Sequence, residues 1–311
     1  MLLKKLSKGD TIGIINPAFK NPQDVYTRYS KMIETIESKG YKIKFGKTFT
    51  LENGYLAGTD EERANDLNEM FKDETVKAII CMRGGYGASR MVDLVDYALI
   101  KDNPKIICGF SDITVLLNAI YKKTDMPTIH GLVSLYIGSK SCDEFSENDF
   151  WKVLTENQKG RVLENPNKDA KTLIPGKVTG TLVGGNLSLI ATLVGSEYEV
   201  DFTDKIVFIE EVTEEPYQID RYFSSIKLRK MFEKAKGFVF GYFSECEPSE
   251  GRKGTQSYLD IIKDYVGNLN KPTIYDFACG HSFPFINLPI GTLVTLDADN
   301  KKIIIEEEIY E

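Results

Sequence analysis

Ser111 stands where an apolar run, Lys105-Ile106-Ile107-Cys108, meets Gly109-Phe110-Ser111-Asp112 and continues directly into Ile113-Thr114-Val115-Leu116-Leu117-Asn118-Ala119-Ile120. A strand that turns abruptly into a helix lifts a serine hydroxyl off the sheet, beside the free N–H groups of the helix start. That is the placement of an acyl-transfer nucleophile. The match to the five-residue nucleophile elbow is partial: Gly109 fits, and Ile113 stands where the second glycine would. The same residues also suit a Ser or Asp that only caps the helix.

A serine hydroxyl needs a base, and the chain has two imidazoles, His130 and His281. His281 lies in the small-residue loop Ala278-Cys279-Gly280-His281-Ser282, which leaves the ring accessible, whereas His130 ends an apolar strand pattern and reads as structural. A third group, a carboxylate, would hold the imidazole in one tautomer and stabilise the imidazolium. Glu210, Glu211, Glu214 and Glu215 are all candidates, with a solvated acidic turn as the plainer reading. Position favours Glu210, which directly terminates the buried run Ile206-Val207-Phe208-Ile209.

The segment Arg83-Gly84-Gly85-Tyr86-Gly87 follows another apolar strand pattern. Adjacent glycines let backbone N–H groups approach a ligand closely, so the loop could cradle a phosphate, supply half of an oxyanion hole, or make a tight turn. It lacks the Lys-Ser/Thr ending of a P-loop and the glycine spacing of a dinucleotide fingerprint. A nucleotide role is therefore the weakest of the three.

These residues require strands and helices to position them. In the first half, strand patterns at 11–15, 41–45, 76–82, 106–108 and 128–130 alternate with helical patterns at 24–38, 60–71, 88–95 and 113–121. Thr59-Asp60-Glu61-Glu62 opens one helix as a capping box. Such alternation predicts a parallel sheet covered on both faces, Rossmann- or flavodoxin-like, over residues 1–156, with ligands beyond the carboxyl ends of its strands. A polar, turn-rich stretch over 157–176 reads as a linker. Residues 177–311 read as a smaller, strand-rich mixed α/β domain, with strand patterns at 178–183, 205–209, 237–240 and 273–275. A hairpin-like pair, Thr292 to Leu296 and Lys302 to Glu306, completes it.

Composition bounds the function. Lys plus Arg number 39 against 46 Asp plus Glu, a formal charge of -7, which argues against nucleic acid as a partner. The start Met1-Leu2-Leu3-Lys4-Lys5 turns polar at once and no stretch approaches a membrane span, so the expectation is a cytoplasmic protein with no membrane association. Five scattered cysteines form no Cys-x-x-Cys pair, and two histidines cannot build a multi-His centre. No metal and no organic cofactor is expected.

Taken together, these segments resemble the serine LD-carboxypeptidases, a family that trims murein tetrapeptides and also includes the microcin C immunity peptidases. The resemblance runs nearly full length through Gly9-Asp10-Thr11-Ile12-Gly13-Ile14, Arg83 to Arg90, Gly109-Phe110-Ser111-Asp112, Gly180 to Leu187, Phe208-Ile209-Glu210, Gly280-His281 and Leu288-Pro289-Ile290-Gly291. It implies Ser111 as nucleophile, His281 as general base and acid, and Glu210 as its orienter. It also implies an oxyanion hole from the backbone N–H of Asp112 and a glycine N–H of Gly84 or Gly85. The triad would draw on both domains, with no cofactor, and the protein would be a homodimer.

The implied reaction is hydrolysis of the amide between an L-centre, lysine or diaminopimelate, and a terminal D-amino acid, in cell-wall recycling. A carboxypeptidase must also bind a free carboxylate, for which Arg83 and Arg90 beside the glycine loop are candidates. Two other readings stand beside this one: a microcin-immunity-type peptidase cleaving an acyl-aspartyl nucleotide, and a non-catalytic protein binding a small ligand between two domains.

Overall fold

Branched apolar runs such as Val76-Lys77-Ala78-Ile79-Ile80-Cys81 suit strands buried on both faces, and the computed structural model, which describes residues 1–311, forms them where the patterns predict. The chain divides into two units. Unit 1 comprises residues 1–158, 287–291 and 308–311; unit 2 comprises 159–286 and 292–307.

Unit 1 is built on β1 (Thr11–Ile15), β2 (Lys42–Phe45), β3 (Val76–Cys81), β4 (Ile106–Gly109) and β5 (Thr128–His130), all parallel in the order β5-β4-β3-β1-β2. Strand order reverses at β1, whose neighbours β2 and β3 lie on opposite sides. This creates a crevice at the carboxyl ends of β1 and β3, the usual ligand position in an open α/β sheet. The capping box at Thr59 is formed: its hydroxyl accepts from Glu62 N–H while the Glu62 carboxylate accepts from Thr59 N–H, opening the helix Asp60–Lys72. The helix expected over 24–38 is broken into Val25–Arg28 and Ser30–Ser38. Helix Thr114–Thr124, which follows the Ser111 turn, is buried along most of its length.

One strand of this sheet comes from far along the chain. Leu288–Ile290 pairs antiparallel with β5 and forms the sheet's edge. Pro289, which has no N–H to give to a further neighbour, suits an edge position.

Unit 2 holds an eight-stranded mixed sheet. Its strands are β6 (Val162–Glu164), β7 (Lys171–Ile174), β8 (Lys177–Asn186), β9 (Lys205–Val212), β10 (Gly237–Ser244) and β11 (Thr273–Tyr275). With Leu288–Ile290 counted as β12, the last two are β13 (Leu293–Asp297) and β14 (Lys302–Ile305). The order is β6-β14-β13-β8-β9-β10-β11-β7, with β8 to β11 parallel and the outer pairings antiparallel. Phe223, Phe232, Phe238 and Phe240 fill the core beneath helix Pro216–Leu228.

The division differs from the sequence reading in two respects. Residues 157–176 are not a free linker, because they carry β6 and β7, the two outermost strands of the second sheet. Residues 177–311 are not all in the second unit, since 287–291 and 308–311 belong to the first.

Candidate active site

In unit 1, Ser111 follows β4 and begins a single 3-10 turn, Ser111–Ile113, that runs into the buried helix. Its φ is 63°, a left-handed conformation unfavourable for a residue with a side chain. Such strain persists only where the surroundings enforce it. The glycine loop supplies part of that enforcement: a Cβ on Gly84 would lie 2.7 Å from Ser111 Cβ, 2.9 Å from Ser111 Oγ and 3.4 Å from the Asp112 backbone nitrogen. Glycine is needed there for close approach. The same contacts place Gly84 beside both the hydroxyl and the Asp112 N–H, as an oxyanion pocket requires.

Asp112 itself is almost fully buried, and its side chain ties the two loops together. Oδ2 accepts from Ala88 N–H at 2.7 Å, and the nearby Gly87 N–H also favours the charged carboxylate. Burial pushes the carboxyl up to about 6, against the lowering effects of those N–H groups and of the Arg63 charge. Arg63 is completely buried. Its Nη1 donates to the carbonyls of Pro17 and Gly87, each at 2.7 Å, and Nη2 pairs with Asp60, which is also held by Arg90. Arg90 is thereby engaged as an ion-pair partner of Asp60.

Arg63 is not among the candidates read from the sequence, although the sequence carries a signal for it. It lies four residues before Leu67 in a helix whose apolar face is Leu67, Met70 and Phe71, so helical spacing puts a guanidinium on the buried face. His130 lies fully buried on β5, its ring edge-on to Phe110. It is part of the core, as its apolar context predicts.

In unit 2, the sequence candidates Glu210 and His281 are brought together. Glu210 Oε2 lies 2.7 Å from His281 Nδ1, with the carboxylate fully buried and the imidazole 17% exposed. Strand alternation on β9 presents Glu210 and Glu211 to opposite faces. The loop carrying His281 comes close because residue 280 is glycine: φ is +122° and a Cβ would lie 2.9 Å from Glu210 Oε2. Burial acts to lower the imidazole pKa, but the charge and hydrogen bond of Glu210, with a contribution from Glu211, raise it above the ordinary histidine value. A carboxylate on Nδ1 fixes the imidazole tautomer and orientation and stabilises its protonated form.

The other acids have different places. Glu211 accepts from Asn186 Nδ2, Ser188 N–H and Val212 N–H, and burial followed by the Glu210 charge raises it to about 7. Glu215 precedes helix Pro216–Leu228, where Gln218 accepts from its N–H, and pairs with Arg252. Glu214 lies near Tyr222, whose hydroxyl is pushed up to about 12 by burial and then by the Glu214 charge. Only Glu210 holds the imidazole. No group of three or more His, Cys, Asp or Glu side chains is placed to bind a metal ion, the five cysteines are free thiols, and no helix is long and apolar enough to cross a membrane.

Comparison with known proteins gives a consistent picture. Residues 12–131 match the LD-carboxypeptidase N-terminal domain and residues 179–296 the LD-carboxypeptidase C-terminal domain. The chain is 37% identical to "Probable murein peptide carboxypeptidase" of Bacillus subtilis, over 99% of this chain and 95% of that one. It is 30% identical to the microcin C7 self-immunity protein MccF of Escherichia coli, over 99% and 96%. Among solved structures, MccF in complex with glutamyl sulfamoyl guanosine superposes with a TM-score of 0.89 at 28% identity, covering 100% of this chain and 99% of that one. Muramoyltetrapeptide carboxypeptidase from Oxalobacter formigenes superposes at 0.81 with 26% identity, over 94% and 97%. With both family domains matched in order and full-length relatives on either side, the chain belongs to the LD-carboxypeptidase family of hydrolases.

Proposed function

We propose that this protein is a serine LD-carboxypeptidase that removes the terminal D-amino acid from murein tetrapeptides, cleaving its amide to an L-centre, lysine or diaminopimelate. The observation that carries the reading is the Glu210–His281 hydrogen bond, a fully buried carboxylate holding one nitrogen of an accessible imidazole. The strained, glycine-flanked Ser111 is the matching nucleophile. Similarity to murein peptide carboxypeptidases supplies the substrate class.

In this mechanism Ser111 Oγ attacks the scissile carbonyl as His281 Nε2 takes its proton. The N–H of Asp112 and of Gly84 or Gly85 receive the oxyanion, each worth on the order of 3 kcal/mol in the transition state. The C–N bond then breaks, His281 giving the proton to the leaving amine. Water, activated by the same imidazole, hydrolyses the acyl-enzyme and restores Ser111. Glu210 keeps the tautomer and stabilises the imidazolium, and Arg83 takes part in binding the substrate carboxylate. The reading requires His281 and Ser111 to come within hydrogen-bond reach in the working enzyme. A homodimer acting in the cytoplasm, in cell-wall recycling, completes the proposal.

The test is mass spectrometry of a tetrapeptide digest: tripeptide plus free D-alanine is the expected result, and an untouched tetrapeptide overturns the reading. The close superposition on MccF favours a second substrate, an acyl-aspartyl nucleotide, and the same assay run on that compound separates the two. Stoichiometric labelling of Ser111 by a serine-directed phosphonate separates either peptidase from a non-catalytic binding protein.

A further inference from the structure

At the carboxyl edge of the unit 1 sheet a cavity of about 390 Å³ opens between the segment Arg28–Met32, Arg83 and the stretch after β5 that holds Leu135 and Ile137. Its floor is apolar: Met32 and Ile137 are buried and Leu135 half-buried. Its wall is cationic, in a chain whose formal charge is -7.

The two guanidiniums are not neutralised. Lys31 shares its charge with Glu34 at 3.4 Å, but Arg28 makes no ion pair or side-chain hydrogen bond. Arg83 donates Nη1 only to the Lys20 carbonyl, at 3.2 Å, and its Nε is buried without a hydrogen-bond partner. Two guanidiniums that meet at one concavity with no carboxylate between them create a local positive potential and present unused donors in the planar geometry that matches a carboxylate. The acidic groups nearest the glycine loop, Asp60 and Asp112, are engaged with Arg63, Arg90 and backbone N–H groups.

The cavity also lies close to the nucleophile. Arg83 is the chain neighbour of Gly84, and a Cβ on Gly84 would lie 2.7 Å from Ser111 Cβ. With consecutive Cα atoms about 3.8 Å apart, the backbone of Arg83 is within about 8 Å of Ser111. That distance is about two to three residues of extended peptide, at roughly 3.3 Å each, within reach of a long guanidinium side chain.

We propose that this cavity is the subsite for the departing residue: Arg83 and Arg28 bind its free carboxylate, and Met32, Leu135 and Ile137 receive its small apolar side chain. The assignment rests on the peptidase reading above and extends it by naming Arg28 and the pocket that selects the terminal residue. Arg28 is a binding residue here, with no part in proton transfer.

The experiment measures binding by calorimetry to the full-length Ser111→Ala protein, which does not turn over, using a tetrapeptide with a free C-terminus and the same peptide as its C-terminal amide. Adding Arg28→Gln, an exposed substitution that leaves the core untouched, should weaken the free acid by about tenfold and leave the amide unchanged. Arg83→Gln should show the same selectivity with a larger loss. Equal losses on acid and amide, or no loss on either, overturn the subsite. Hydrolysis by the unmodified protein keeps the two claims apart. If D-alanine is released but Arg28→Gln does not distinguish acid from amide, the subsite fails and the activity stands. Acid-selective, Arg28-dependent binding without hydrolysis would instead remove the peptidase reading and leave the anion site.

Discussion

The two halves of the candidate catalytic machinery are made by different physics. The Ser111 turn of unit 1 is held by backbone shape: a left-handed Ser111, a glycine too close to admit a side chain, and an N–H group fastened by Asp112. The acid–base pair of unit 2 is held by charge, a buried carboxylate against an imidazole whose proton affinity it raises. The backbone shape at Ser111 and Gly84 depends little on pH, whereas a charge pair responds to every proton exchanged. A substitution in one half should therefore fail in a different way from a substitution in the other.

The largest effect tests the half that carries the reacting atom. Ser111→Ala should lower turnover by on the order of 10⁴-fold or more without loss of folded structure, measured as D-alanine release beside circular dichroism. Near-normal turnover would end the comparison at once. Next comes the charge pair: Glu210→Gln should cost on the order of 10⁴-fold in kcat, as loss of an orienting carboxylate does in other triads. It should also move the acid limb of the pH profile. Catalysis needs neutral His281, so the raised pKa places that limb above the ordinary histidine value. Removing Glu210 leaves burial opposed only by the weaker Glu211 contribution and shifts the limb to lower pH. A limb that stays put would show that Glu210 does not govern this imidazole.

Gly84→Ala probes the steric half alone. Its methyl group would displace Ser111 and the adjacent N–H, with an expected loss of about 10²–10³-fold in kcat, comparable to losing one oxyanion donor. The pH limb should not move. A shifted limb would mean that the two halves are not separable in this way.

The smallest effect concerns stability. Asp112 is raised to about 6 in the folded protein from an ordinary value of 3.8. Between those values the folded state keeps a proton that the unfolded state has lost, so this residue makes stability fall as pH rises from about 4 to 6 and then level off. Asp112→Asn keeps an acceptor for Ala88 N–H and should remove that part of the slope, about 3 kcal/mol at most, seen in urea midpoints against pH. Glu211, raised to about 7, contributes a slope of the same sign in both proteins, so the difference between them isolates Asp112. Identical slopes would place the Asp112 carboxyl outside this account.

Much of this arrangement was legible before any coordinates. The βα alternation follows from uninterrupted apolar runs, the capping box at Thr59 from local side-chain chemistry, and the singling out of Glu210 from its being the acid that ends the apolar run Ile206-Val207-Phe208-Ile209, although β9 itself continues to Val212. What escaped has a common cause. β6, β7 and β12 are three or four residues long, and their pairing is decided by β14, β11 and β5, partners remote in sequence. Short edge strands among turn-forming residues carry little periodicity, which is why 157–176 reads as a linker. Arg28 shows no pattern of its own, because a cavity wall shared with Arg83 exists only after the chain has folded.

The re-entry of residues 287–291 and 308–311 into the first unit has a consequence for biosynthesis. The sheet that carries Ser111 lacks its edge strand until residues 288–290 have left the ribosome. A nascent chain arrested after residue 158 would expose the edge of β5 as a template for stray pairing, so completion of translation and closure of that edge are linked events.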